Sequence, residues 1–184
     1  MLEVTAVGQY VVHHWQGPKL NKRALTEMLL LHDLGNIVKF QRPFFDVPEK
    51  DLPNWEGVQD EMIAKYGTRA QDATLGMLKT LKIRFDTIEL LRQMAYAPDG
   101  SMLTKSWEAQ IGHFADHCVT PKGIVGFEVR VKDMVARYAH RENLSPEAWY
   151  ANAAQVQENV DVELGLLQNE DFSQTIEALK QTEI

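Results

Sequence analysis

The sequence contains a single cysteine, Cys118, among its 184 residues, which excludes an internal disulfide framework. It has no run of about 18 consecutive apolar residues, so no transmembrane helix is predicted. Basic residues are in the minority, 19 against 26 acidic ones, and this disfavours nucleic-acid binding, which needs clustered Lys and Arg. The N-terminus lacks a basic region followed by a small-residue cleavage site, so no signal peptide is expected. These absences predict a cytoplasmic protein with no membrane or nucleic-acid partner.

Alternation of apolar and polar residues, the pattern of strands, is almost absent from the sequence, and apolar residues recur instead at helical spacing. A length of 184 residues is that of one domain, and a chain of this size buries roughly 70% of its unfolded surface. We therefore predict a single compact all-α domain of about eight or nine helices. Asn21 is expected to cap the second helix, and Thr68 and Gln71 are expected to form a capping box before the fourth. The apolar stripe of the fourth helix is expected to be Leu75, Leu78 and Leu81.

The predicted helices carry apolar stripes that define the expected core. The first two stripes each end in a histidine, His14 and His32, so both imidazoles are expected to face inward. The sixth helix carries His113, Asp116 and His117 on the side away from its apolar stripe. The stripe positions are Val4, Val7 and Val11 in the first helix, Leu25, Met28 and Leu29 in the second, and Trp107, Ile111, Phe114 and Cys118 in the sixth.

His32 and Asp33 stand side by side where the second helix should end and where the pattern points into the core. Burying such groups without partners costs roughly 2–7 kcal/mol for a neutral group and more for a charge, and a divalent cation would compensate. The alternative is a plain helix end, with a dipole-favoured His and a solvated Asp. With His14 and Asp116, the pair forms a mixed imidazole and carboxylate set that suits Mn, Fe, Co, Ni, Zn or Mg. Such an ion activates water and polarises a phosphoryl oxygen.

The same residues carry a resemblance to a known family. In their order, His14, the His32-Asp33 pair and Asp116 match the H…HD…D signature of the HD-domain superfamily, which are metal-dependent phosphohydrolases of all-α fold. Residues 29–40 (LLLHDLGNIVKF) are the most similar stretch. Residues 115–125 (ADHCVTPKGIV) and 130–138 resemble the part of small bacterial HD proteins that bears the last Asp. The resemblance covers about residues 4–140, and the predicted C-terminal helices occupy residues 146–182.

This resemblance implies a function and a set of site residues. The chain would be a phosphohydrolase acting on a small phosphate ester or nucleotide through a metal-activated water. His14, His32, Asp33 and Asp116 would be the metal ligands. The other expected site residues are Asp33, His113 and Lys39 as catalytic groups, and Asn36, Lys39, Gln71 and His117 as substrate-binding groups. His113 lies one helical turn before Asp116, so it is expected to act as an extra ligand, a partner of Asp116 or an acid–base group, or else to be a core histidine.

The sequence also departs from the family's pattern at several positions. Asn36 replaces a frequent Lys, Gln71 lies where a His is common, and His117 and Cys118 stand where a hydrophobic residue and an Arg are expected. These changes leave open a non-hydrolytic or repurposed HD fold with an altered pocket. Some HD proteins are di-iron oxygenases, and this is a third alternative, although such a site needs more ligands than we find in the sequence. The chain is expected to be a monomer or a homodimer, and the stripe of the helix near Trp149 would either pack on the core or form a dimer contact.

Overall fold

A computed structural model describes residues 1–43, 47–95, 106–138 and 146–164 of the chain. The prediction of an all-α protein is confirmed, because eight α-helices account for most of the described residues. Two short 3-10 helices, Leu34–Lys39 and Glu49–Asp51, lie between the second and third α-helices. The α-helices are α1 Leu2–His14, α2 Lys22–Leu31, α3 Leu52–Tyr66, α4 Ala70–Thr80, α5 Phe85–Gln93, α6 Trp107–Asp116, α7 Phe127–Tyr138 and α8 Pro146–Leu164.

A short antiparallel hairpin that the sequence analysis did not predict follows α6. Its strands, β1 (Val119–Thr120) and β2 (Gly123–Ile124), pair with Val119 opposite Ile124. Gly123 has a φ of 122°, a conformation that favours glycine, and this explains a glycine in the tight connection. Among the described helices, none has both the length and the apolar character that crossing a bilayer requires. The predicted last helix, near Phe172, lies outside the described residues.

The main core is formed where α1, α2, α5 and α6 pack together, with α8 lying on α6 and α7. The predicted stripes of α1 and α2 are buried, apart from the histidine at the end of the first. Ala153, Val156 and Val160 of α8 are also buried, so this stripe packs within the chain. The largest fully buried apolar side chains are Phe114, Leu25, Met28, Leu29, Leu78, Leu91, Ile111, Val7, Val11 and Val160.

The N-terminus of α2 is fixed by Asn21, as predicted. Its side-chain Oδ1 accepts a hydrogen bond from the backbone N–H of Ala24 at 3.2 Å, which is an N-cap. The amide of the same side chain donates to Asp86 of α5 at 3.0 Å, and its backbone N–H donates to Glu108 of α6 at 2.7 Å. One capping residue therefore ties together the N-terminal ends of three helices.

The first 3-10 helix lies directly on the N-terminal half of α4, and Gly35 allows this close contact. The backbone N–H of Gly35 donates to Thr74 Oγ1 at 2.9 Å. A Cβ atom at Gly35 would lie 2.4 Å from the carbonyl oxygen of Ala70 and 2.5 Å from the backbone nitrogen of Thr74. No side chain larger than hydrogen fits against that backbone, so the glycine after the His-Asp pair is required by packing.

Gln59 of α3 is a buried polar residue that hydrophobic patterning did not identify. It is 3% exposed. Its amide nitrogen donates to the carbonyl oxygens of Ile37 and Phe40 at 2.8 and 2.9 Å, and its oxygen accepts from Arg42 Nε at 2.6 Å. These bonds satisfy the C-terminal carbonyls of the first 3-10 helix and join the helix to α3.

Two predictions about helix α4 are wrong. Residues Thr68 and Gln71 form no capping box, because α4 begins at Ala70 without a side-chain cap and Gln71 instead donates to the carbonyl oxygen of Leu91 in α5 at 2.8 Å. Leu81, predicted to continue the apolar stripe, is 61% exposed because α4 ends at Thr80. Packing against α5 decides the first difference, and the helix end decides the second.

Candidate metal centre

His32 forms the C-cap of α2, and its side chain is only 7% exposed. Its Nδ1 lies 2.8 Å from the carbonyl oxygen of Leu29. A carbonyl can only accept, so Nδ1 carries the proton in this contact and the neutral ring presents a lone pair at Nε2. A backbone bond of this kind fixes the ring orientation and the tautomer that a metal-ligating histidine needs.

The Nε2 atom of His32 lies between two carboxylates. It is 3.5 Å from Asp33 Oδ2 and 3.6 Å from Asp116 Oδ1. It is buried and has no hydrogen bond within the described part of the chain. A lone pair facing two anions is unfavourable, so a proton or a cation is needed at this point. The two separations are close to the roughly 3.0–3.5 Å expected between neighbouring ligands that each lie near 2.1 Å from one ion.

Charges around His32 and Asp116 shift both pKa values. Burial alone lowers the pKa of His32, but the carboxylates of Asp116 and Asp33 outweigh it and raise the pKa above its ordinary value. Burial alone raises the pKa of Asp116, but His32, His117 and Arg130 reverse the effect and hold it well below its usual range. Asp116 is therefore a carboxylate at neutral pH. Its side chain remains 30% exposed, and that of Asp33 remains 46% exposed.

The described residues contain no group of three or more His, Cys, Asp or Glu side chains arranged as a ready-made metal site. The two ion-pair contacts share His32 but do not form a complete ligand set. His14 does not join them, and the prediction that it faces inward is wrong. It is exposed, because α1 ends at this residue. Its ring lies against Tyr10, with centroids 4.1 Å apart, and its Nδ1 contacts the Tyr10 carbonyl at 2.9 Å.

His113 and His117 are both buried in α6 and at its C-cap, at 2% and 1% exposure. Nδ1 of His117 lies 2.6 Å from the carbonyl oxygen of His113. Burial, together with the neighbouring His117, lowers the pKa of His113 to about 3, so this ring is neutral. Burial also lowers the pKa of His117. Both imidazoles therefore belong to the neutral interior of the chain, at the end of the helix that carries Asp116.

The expected substrate-binding residues lie in different surroundings. Asn36 is half-buried in the first 3-10 helix, where its backbone N–H donates to the Asp33 carbonyl at 3.0 Å. Lys39 is exposed at the end of the same helix. Gln71 is half-buried and, as described, its amide is bonded to Leu91 of α5. These side chains are thus distributed along the segment after the His-Asp pair and on α4.

Arg130 of α7 is a charged neighbour of this site that the sequence analysis did not select. Its side chain is 14% exposed, and its Nη1 bonds Asp133 at 2.6 Å. Its positive charge lowers the pKa of both Asp116 and His117, so it lies within electrostatic range of the site. The sequence did point to this residue, because Arg130 lies in the 130–138 segment that resembles HD proteins. A single Arg on an amphipathic helix is, however, expected to be solvated.

The His32, Asp33 and Asp116 contacts bring together three of the four residues that match the H…HD…D signature. They come from the C-terminal end of α2 and the last residue of α6, helices that pack against one another in the core. The fourth residue, His14, lies outside this cluster. No family model, curated protein or solved structure matches the chain.

Proposed function

We propose that this chain is a metal-dependent phosphohydrolase acting on a small phosphate ester. The observation that supports this most strongly is the Nε2 atom of His32, which is buried, has no hydrogen bond among the described residues and faces the carboxylates of Asp33 and Asp116. Imidazole and carboxylate donors of this kind suit a divalent transition metal or magnesium. The resemblance of the surrounding sequence to HD proteins points to the same chemistry.

His32, Asp33 and Asp116 are the residues that would hold the ion. The backbone bond from His32 Nδ1 to Leu29 keeps its ring in place, and the two carboxylates lie 3.5 and 3.6 Å from Nε2. A bound divalent cation supplies Lewis acidity toward a phosphoryl oxygen and lowers the pKa of a water. His14 stays a proposed fourth ligand on the resemblance alone, because its exposed ring lies against Tyr10 in the structure.

The chain's own groups would then orient and receive the reacting atoms. Asp33 is the more exposed carboxylate, so it lies where a water molecule can approach and it can accept a proton from that water. The neighbours of Asp116, His32 first among them, hold its pKa well below its usual range, which keeps it ionised and available as a ligand. The exposed Lys39 is a point charge at the end of the 3-10 helix and is able to attract a phosphate.

The first experiment is elemental analysis of the purified protein, followed by titration with Mn, Co, Ni, Zn and Mg. We expect about one equivalent of a divalent metal in the wild type and loss of it in His32→Ala and Asp116→Ala. His13→Ala is a matched control, because His13 is an exposed histidine outside the cluster. Hydrolysis of p-nitrophenyl phosphate by the loaded protein should disappear with the metal. A wild type that takes up no metal from excess ion contradicts the proposal.

A second candidate, a ligand-binding protein that does not hydrolyse phosphate esters, is favoured by a separate observation. A proton on His32 Nε2 would face the two carboxylates in place of a metal, and the carboxylates outweigh burial in raising the pKa of His32 in that direction. The departures at Asn36, Gln71 and Cys118 are consistent with a changed pocket. Absence of metal uptake together with an intact fold by circular dichroism would favour this function over the first.

A further inference from the structure

Two large apolar side chains are exposed to solvent on either side of the turn between α4 and α5. Phe85 is 74% exposed and Leu81 is 61% exposed, and no large apolar side chain in the described part of the chain is more exposed than Phe85. The two residues are four positions apart, so their Cα atoms lie at most about 14 Å from one another. Single exposed apolar residues are ordinary, but neighbouring ones form a patch of the kind that partners cover.

The turn that carries this pair is fixed by its backbone. The N–H of Lys82 donates to the Lys79 carbonyl at 3.1 Å and that of Ile83 donates to the Leu78 carbonyl at 3.0 Å, which are the two bonds of a Schellman motif. Ile83 is half-buried and packs against the main core. Because the chain is anchored at Ile83, the apolar residues on either side of it stay exposed.

Lys82 occupies the position in this motif that glycine usually takes. Its φ is 55°, a left-handed conformation that is unfavourable for a residue with a Cβ atom. An exposed lysine at such a position adds nothing to the core. Its charge at the surface is therefore the feature that a partner would use.

Positive charge surrounds the apolar pair. Residues 73–85 contain Lys79, Lys82 and Arg84 but no Asp or Glu, although acidic residues outnumber basic ones by 26 to 19 in the whole chain. Arg84 is bonded to Asp86. Lys79 and Lys82 are exposed, and neither belongs to an ion pair among the residues that the structure describes.

The end of α3 brings a third lysine to the same place. The hydroxyl of Tyr66 donates to Thr80 Oγ1 at 3.2 Å, and Lys65 Nζ lies 5.0 Å from the centre of the Tyr66 ring. Thr80 directly precedes Leu81. We call the resulting patch the α4–α5 turn surface, which consists of Leu81, Phe85, Lys65, Lys79 and Lys82.

Charge decides which kind of partner fits this surface. A second copy of the chain is disfavoured, because a symmetric contact would bring the lysines of both copies together. An anionic membrane is recognised by clusters of about four to eight basic residues, and a bilayer is wide enough to meet the acidic remainder of a chain whose net charge is −7. A short acidic segment responds only to charges within about 8 Å, so it is attracted by the local lysines alone.

We propose that the α4–α5 turn surface binds an acidic, amphipathic segment of another protein. The apolar side chains of the segment would cover Leu81 and Phe85, and its Asp and Glu side chains would pair with the lysines. The surface lies at the C-terminal end of α4, whereas the first 3-10 helix packs on the N-terminal half of α4. The inference is therefore independent of the proposed metal centre.

The test is selection of displayed random peptides, each long enough for about four helical turns, on the immobilised full chain. Fluorescence anisotropy then measures the affinity of the most enriched peptide. We expect enriched peptides to combine Asp or Glu with large apolar residues and to bind more weakly as the salt concentration rises. Leu81→Ser and Phe85→Ser should each weaken binding about tenfold or more. Val129→Ser, at a 58% exposed apolar residue of α7, is the matched control and should stay within about twofold.

Lys82→Gly separates the role of the charge from the stability of the turn. Glycine suits the left-handed conformation, so the melting temperature should rise by about 2–4 °C. Peptide binding should nevertheless weaken about threefold, because one cation is lost. Lys19→Gln removes an exposed lysine before α2 and should change neither quantity.

Three results would overturn the proposal. The first is a selection that enriches no peptide, or only peptides without acidic residues or with equal affinity for Phe85→Ser and the wild type. The second is sedimentation of the wild type, but not of Phe85→Ser, with phosphatidylserine vesicles when no acidic peptide binds, which would make the partner a membrane. The third is a dimer that Phe85→Ser abolishes, seen by sedimentation velocity, which would assign the surface to a second copy of the chain.

Discussion

At the scale of single residues, Gln59 is a buried polar group whose hydrogen bonds join α3 to the first 3-10 helix. Its amide nitrogen donates hydrogen bonds to the carbonyl oxygens of Ile37 and Phe40, which follow the His-Asp pair. Its amide oxygen accepts a hydrogen bond from Arg42 Nε. Because Asp33 is the residue that directly precedes this 3-10 helix, the position of a proposed ligand depends on a glutamine in α3. Residues of this kind act on a site without touching it.

Replacement of Gln59 by leucine should destabilise the protein, because it removes the amide that bonds the Ile37 and Phe40 carbonyls and the oxygen that accepts from Arg42 Nε. We expect a loss of about 1–3 kcal/mol in the free energy of unfolding, measured by urea denaturation. The control is Asp60→Asn. Asp60 also bonds Arg42, at 2.6 Å, but its side chain is 68% exposed, so its loss should cost less than about 1 kcal/mol. Equal effects of the two changes would show that the buried amide is not the source of stability.

Some residue-level features follow from the sequence and others do not. The capping role of Asn21 and the buried position of His32 follow from local spacing, since both depend on neighbours within one helical turn. Helical periodicity also placed His14 on an inward face, but α1 ends there, and a residue in a last turn is not held by the core. Gln59 and Gln71 find their partners in other elements, and polarity alone assigns such residues to the surface.

At the scale of elements, the first 3-10 helix is the piece that positions Asp33 and Asn36, and its contact with α4 leaves no space at Gly35. Gly35→Ala would place a Cβ 2.4 Å from backbone that cannot easily move. We expect a loss of about 1–3 kcal/mol or more from overpacking. If the proposed metal site exists, its affinity for Mn should fall as well, because the residues flanking Asp33 are displaced. Thermal unfolding and Mn titration measure the two effects.

Gly57→Ala in α3 is the matched control for that change. A Cβ at Gly57 meets nothing within 4 Å, and the residue lies in the interior of a helix. Alanine there should therefore stabilise the protein by roughly 0.5–1 kcal/mol. A Gly35→Ala protein that is as stable as the Gly57→Ala protein would contradict the close contact between the 3-10 helix and α4.

Element boundaries could be predicted where a local signal marks them. Gly67, with a φ of 82°, ends α3, and Ser106 caps α6 by accepting from the backbone N–H of Ala109 at 3.3 Å. The 3-10 helix and the two-residue strands were not predicted. Such short elements lack a full period of either pattern, and their existence depends on the packing of the 3-10 helix on α4 and of the hairpin on α7.

At the scale of the whole molecule, Asp86 links helices that are far apart in the sequence, and this link should depend on pH. Arg84 and the amide of Asn21 bond its carboxylate. The Arg84 bond outweighs the opposing effect of burial and holds the pKa of Asp86 well below its usual range. A depressed pKa stabilises the fold above the unfolded value, near pH 4, and this contribution is lost as the pH falls toward the folded value.

Asp86→Asn should therefore lower stability most at pH 6–8, and the difference from the wild type should shrink as the pH falls below about 4. Urea denaturation at pH 7, 5 and 3 measures it. Asp72→Asn is the control, because Asp72 pairs with an exposed Arg69 on the surface at 3.5 Å and should change stability little at any of the three pH values. A difference for Asp86→Asn that is constant across this range would rule out the charge as its cause.

The location of the candidate centre between α2 and α6 also bears on how the protein folds. Asp116 becomes a neighbour of His32 only after α6 has docked on α2, and α8 in turn packs on α6. Local helices form quickly, whereas contacts between distant segments form late because the intervening chain must first be closed. An ion held by both helices would bind the native state and not the unfolded chain, so it would slow unfolding and raise the melting temperature. The time at which metal is bound during refolding would therefore report when α6 docks on α2.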